Sequence, residues 1–158
     1  MYKVWMLAAA VTLAPLAAHA QATLDRPHQL LGEGVQRNVQ GNFAEAEKKL
    51  REALREDPTM LEGHYNLGVA LREQGQFAEA ADEFHFASKK FTDEPRIAQS
   101  LYGEALAREA LGDGRAWDHY LAFARPLAAE HPAVEVAKQH REALNGVVVP
   151  GHYQKASR

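Results

Sequence analysis

The stretch QGNFAEAEKKLREAL, from Gln40 to Leu54, is written again thirty-four residues later as QGQFAEAADEFHFAS, from Gln74 to Ser88. A fixed period of this length constrains the fold more than any composition can. It is too short for a domain and suits one pair of helices that buries its apolar face only by stacking on the next pair.

Laying residues 27–60 over 61–94 gives identities at Gly34/Gly68, Val35/Val69, Gln40/Gln74, Gly41/Gly75, Phe43/Phe77, Ala44/Ala78, Glu45/Glu79, Ala46/Ala80 and Ala53/Ala87. Most are small or aromatic, the residue types that packing constrains. Each unit reads as a helix (about 28–40, then about 60–74), a turn, and a second helix (about 44–55, then about 78–90). Gly41 and Gly75 fall where the first helix stops and the chain reverses, a left-handed position that glycine fills without strain. Gly34 and Gly68 lie two turns earlier, opposite Ala46 and Ala80, and are expected to let the paired backbones approach closely. Phe43, Phe77, Leu50 and Phe84 are expected to fill the space between helices.

This pattern resembles the tetratricopeptide repeat. In the second unit His64, Leu67-Gly68, Leu71, Ala80, Phe84 and Ala87 stand at the motif positions, with His64 where that family usually has Trp. The first unit offers Leu30, Glu33-Gly34, Ala46, Leu50, Ala53 and Pro58. A third unit aligns at an offset of 37 through Tyr65/Tyr102, Ala70/Ala107, Gly75/Gly112, Ala87/Ala124 and Pro95/Pro132, with three extra residues absorbed around 92–97. It is degenerate. Trp117 replaces the small residue at the crossing and Gly114-Arg115 the Phe-Ala pair, which predicts a looser crossing, while Pro126 is expected to kink or end its second helix.

The predicted fold is all-α, a right-handed superhelical stack of antiparallel helix pairs. About three repeats over 27–131 (27–60, 61–94, 98–131) precede a capping helix at 132–146 and a tail at 147–158. Residues 1–20, MYKVWMLAAAVTLAPLAAHA, combine one cation at Lys3, an apolar core and a small-x-small ending at Ala18-His19-Ala20. That is the build of a secretory signal peptide, with an apolar run too short to span a bilayer. The expected product is periplasmic in a two-membrane organism and secreted otherwise, with no stable membrane insertion.

The 18 basic and 21 acidic side chains give a net charge of −3, with no basic cluster, which argues against nucleic acid as a partner. Cysteine is absent, so disulfides, thiolate metal sites and covalent haem attachment to this chain are excluded. Serine occurs only at 88, 100 and 157, never within Gly-x-Ser-x-Gly, and no phosphate-cradling glycine loop is present. No catalytic residue and no cofactor is expected. The histidines after the leader, at 28, 64, 85, 119, 131, 140 and 152, have no two at i, i+4 on one helix, so the spacing supplies no metal site. His64 reads as an interhelix packing residue, and Asp82 with His85 as a solvated pair. The EKKLREALRED run alternates in sign and reads as an exposed face with pairs such as Glu45 with Lys49.

In the family it resembles, the first helix of each unit lines a concave surface. The matching positions are Leu31, Val35, Asn38, Val39, Tyr65, Asn66, Val69, Arg72, Glu73, Tyr102, Leu106 and Glu109, an apolar stripe edged with polar groups. The resemblance therefore implies a non-enzymatic scaffold or adaptor of the cell envelope, whose partner is another protein, a peptide segment or a second copy of the chain. The same stripe could instead receive the terminal helix or the tail's Val147–Val149. An assembly factor holding an exported client such as a cytochrome is the alternative within the binding class; a metal carrier or enzyme using the histidines belongs to a different one. The carboxylate clamp by which some relatives hold chaperone tails is not implied: only Asn66 falls at a clamp position, and Leu31, Val35, Gln99 and Gly103 occupy the others.

Overall fold

Three turns of identical construction set the architecture. Gly41, Gly75 and Gly112 have φ of 76°, 78° and 78°. Each is flanked by the same two backbone bonds: Gly41 N–H to Asn38 O (3.0 Å) with Asn42 N–H to Arg37 O (2.9 Å), then Gly75 to Arg72 (2.9 Å) with Gln76 to Leu71 (2.9 Å), and Gly112 to Glu109 (2.8 Å) with Asp113 to Arg108 (3.0 Å). These are Schellman closures, which satisfy the last carbonyls of a helix while the glycine turns the chain back. They recur at the 34- and 37-residue offsets that define the units.

A computed structural model describes residues 26–113, 115–124 and 132–146. Among the described residues run seven helices: α1 (26–39), α2 (Phe43–Glu56), α3 (Leu61–Glu73), α4 (Phe77–Lys90), α5 (Glu94–Ala110), α6 (Asp118–Ala124) and α7 (Pro132–Gly146). No strand occurs among the described residues. The predicted leader at 1–20, the tail at 147–158 and Pro126 lie outside them. From α2 onward each helix packs on its successor, and α3 also meets α5. The result is a stack of helical repeats. No helix of the described residues is long and apolar enough to cross a membrane.

Packing between the paired helices follows one device used twice. A Cβ added to Gly34 would stand 2.6 Å from Leu50, and one added to Gly68 would stand 3.1 Å from the Phe84 ring. Glycine thus makes room for the large residue of the facing helix, and Leu50 and Phe84 are fully buried. Gly34 also approaches the Ala46 carbonyl, and the atoms nearest to Gly68 are those of the Phe84 ring. Phe43 and Phe77, expected in the interior, are only half-buried because they sit at the exposed first turn of α2 and α4.

The buried side chains form two clusters. Ala46, Leu50, Leu54, Leu67, Leu71, Ala80 and Phe84 belong to one, and Leu101, Ala105, Trp117, Tyr120, Val134 and Ala137 to the other. At the third crossing Trp117 is fully buried. Residues 115–117 form a turn, and α6 begins at Asp118. The extra residues around 92–97 are absorbed by lengthening α5, which begins at Glu94, ahead of the expected unit start at 98. Asp93 caps it by accepting from Arg96 N–H at 3.1 Å, and Pro95 sits in its first turn. The terminal helix α7, Pro132–Gly146, packs on α6.

Several charges of α2 reach across to α1, while Arg51 and Glu47 pair along α2 itself (2.9 Å). Lys49 pairs with Glu33 (2.7 Å), Glu45 with Arg37 (3.1 Å) and Arg26 with Glu52 (3.0 Å). Such exposed pairs are screened by solvent and contribute little to stability. They register α1 on α2 more than they stabilise it.

Candidate functional site

Helical periodicity places Leu31, Val35 and Asn38 on one face of α1, Tyr65, Val69 and Arg72 on one face of α3, and Tyr102, Leu106 and Glu109 on one face of α5. The three sets share one register, because the offsets that align the turns also align the stripes. Leu31, Tyr65 and Val69 are half-buried against the first core cluster, and Tyr102 and Leu106 against the second. Tyr65 packs its ring edge-on to Phe84, centroids 5.6 Å apart. Val39, at the end of α1, is 84% exposed.

The polar members are tied into the scaffold. Asn38 Nδ2 donates to the Asn66 carbonyl (2.9 Å), joining α1 to α3, and Asn66 Nδ2 donates to the Glu62 carbonyl (2.7 Å). Arg72 pairs with its neighbour Glu73 at 2.6 Å. Glu109 is held at both oxygens, accepting from Trp117 Nε1 (2.7 Å) while His140 Nδ1 of α7 lies 2.9 Å from each. The sequence allowed the terminal helix to meet the stripe, and it does so at the third unit. The α1 and α3 portions keep Val35, Val39 and Arg72 partly or largely exposed.

Between α2, α3 and α4, a second concavity of about 590 Å³ is lined by Lys48, Arg51, Leu54, Arg55, His64, Leu67 and Glu83. His64 is the interhelix residue the sequence suggested. Its Nδ1 lies 2.6 Å from Glu83 Oε2, its Nε2 lies 3.0 Å from the Pro58 carbonyl, and Phe86 stacks at 4.3 Å. Both ring nitrogens face acceptors, so only the doubly protonated imidazolium satisfies both. Burial pushes this imidazole's pKa down, but the hydrogen bonds to Glu83 and Pro58 and the Glu83 charge outweigh it and hold the value above 6.5.

A folded-state pKa raised in this way stabilises the fold fully below the ordinary imidazole value and loses that contribution as pH rises through the raised one. Thermal melts are therefore expected to show stability falling as pH rises from the ordinary imidazole range through the raised value, with a shallower fall in His64→Gln. An equal slope in that variant would place the titration elsewhere.

Glu47 ties α2 to the turn before α4, accepting from Arg51 Nε (2.9 Å), Gln74 Nε2 (2.8 Å) and Gln76 Nε2 (3.2 Å). Burial raises its pKa, yet these donors outweigh burial and leave it lowered. His85 does not pair with Asp82, as the sequence suggested. Its Nδ1 lies 3.1 Å from Glu104 Oε1 on the next helix. Sequence reading passed over Glu104 altogether, although the 37-residue offset sets it against the core residue Leu67.

With this geometry in place the comparisons with known proteins are decisive for class. A family model of the tetratricopeptide repeat matches residues 39–85 and 65–122, together more than half of the chain. The chain belongs to the tetratricopeptide repeat family, whose repeats generally mediate protein–protein interaction. No curated protein matches it.

Proposed function

We propose that the chain is an exported, non-enzymatic adaptor of the cell envelope that receives an extended or helical segment of another protein on the α1–α3 portion of its stripe. The carrying observation is the shared register of the Leu31/Val35 and Tyr65/Val69 pairs beside the almost fully exposed Val39. An apolar strip flanked by Asn38, Asn66 and Arg72 offers burial for alternate side chains and polar anchors for orientation. The leader-like residues 1–20 support export. A holdase for an exported client uses the same surface and differs only in releasing what it binds.

Val39 is the cleanest probe, because Tyr65 also supports Phe84 and its truncation would disturb the fold. Photo-crosslinkers at Val39 and, on α4, at Phe86 should identify a partner segment from envelope extracts only at Val39. Against the purified segment, Val39→Asp is expected to weaken binding about tenfold or more with an unchanged melting curve. Crosslinks confined to Phe86, or undiminished affinity in Val39→Asp, would reject the stripe as the docking surface.

A further inference from the structure

The third unit breaks the repeat's own rule at one buried position. Leu67 is 2% exposed, and its counterpart Glu104 is buried as deeply, at 1%, yet carries a carboxylate. Taking such a group out of water costs several kcal/mol unless other charges and donors replace the solvent. The replacements come from three helices. Nδ1 of His85 on α4 lies 3.1 Å from Glu104 Oε1, and Nδ1 of His119 on α6 lies 3.2 Å from the same oxygen. Arg108 Nη2, one turn along α5, lies 2.9 Å from it as well. Meanwhile Glu104 Oε2 and Arg108 Nε are buried with no hydrogen-bond partner among the described residues. Three nitrogens crowd one oxygen while its twin has none.

We propose that His85, Glu104 and His119 form a divalent transition-metal site of the zinc class, with Nδ1 of each imidazole and Oε1 of the carboxylate as the protein ligands. Zinc bonds of about 2.0–2.1 Å to nitrogen and oxygen give tetrahedral edges of about 3.3 Å, and the two imidazole-to-carboxylate distances of 3.1 and 3.2 Å match those edges. One ligand atom from each of the three residues lies within 4.8 Å of the other two. The His85 and His119 side chains are 38% and 55% exposed, which leaves their rings free to adjust and the ion a way in.

Two imidazoles and one carboxylate favour zinc, copper or nickel over calcium or magnesium, which prefer oxygen donors. A cation at Oε1 displaces Arg108 towards Oε2, where the guanidinium supplies the missing partner of both orphaned atoms. The carboxylate then bridges metal and arginine, an outer pairing that fixes ligand orientation. A cavity of about 190 Å³ lined by Arg108, Asp113, Arg115, Asp118 and His119 adjoins the cluster and leaves space for a water or a partner's side chain as the fourth ligand.

The test is calorimetric titration of the chelator-treated full chain with zinc chloride, together with Co²⁺ absorption spectroscopy. One ion per chain is expected, with a rise in melting temperature and the intense visible bands of tetrahedral cobalt. His85→Gln and His119→Ala should each weaken binding by at least about tenfold and abolish the cobalt bands, each variant being titrated below its own metal-free melting temperature. His28→Gln, on α1 and remote from the cluster, should change neither. Absence of saturable binding, equal affinity in the two cluster variants, or an equal loss in His28→Gln would overturn the assignment.

Discussion

Phe84→Ala is expected to lower the free energy of unfolding by about 3–5 kcal/mol, at the upper end for its type. The ring is fully buried on α4 between α3 and α5. Cβ atoms added at Gly68 and Gly103 would stand 3.1 and 2.7 Å from it, and Tyr65 meets it edge-on. Two of its neighbours are glycines, with no side chain to swing into the vacated space, so relaxation can recover little of the loss. Denaturant titration at equilibrium measures the effect. A loss below about 1 kcal/mol would show that the second and third units are joined by something other than this ring.

The second large effect is local. Trp117→Ala is expected to cost about 3–5 kcal/mol, concentrated at the C-terminal end of the stack. Trp117 donates Nε1–H to Glu109 at 2.7 Å, packs edge-on to Tyr102 and Tyr120, and lies 4.8 Å from the His140 ring. One indole therefore connects α5, α6 and α7. Repeat stacks lose stability unit by unit, so hydrogen exchange should show lost protection in α6 and α7 while α2 to α4 keep theirs. Uniform loss through α2 would mean that the stack behaves as one cooperative block.

How far the sequence carried depended on which residues repeat. Gly41, Gly75 and Gly112 marked every turn, since only a backbone requirement repeats a glycine at those offsets. Leu50 and Phe84 marked the core for the same reason. The third unit was harder to read because Trp117 stands where Ala46 and Ala80 stand in the first two and a turn at 115–117 precedes the following helix. The stripe was legible as a surface, but the capture of Glu109 by His140 and Trp117 was not, since no local spacing relates residues 31 positions apart. Histidine spacing within single helices likewise gave no hint that α4, α5 and α6 bring His85, Glu104 and His119 together. The one available signal was a carboxylate in a leucine's place.

Nearly every interhelical contact joins segments adjacent along the chain. Loop closure during folding is then always short, and its entropy cost small. Nucleation can begin at either of the two regular units and spread outward like a zipper, with α6 and the terminal α7 closing last. A chain organised this way reaches a protease-resistant state from its own N-terminal half, before its final turns have folded.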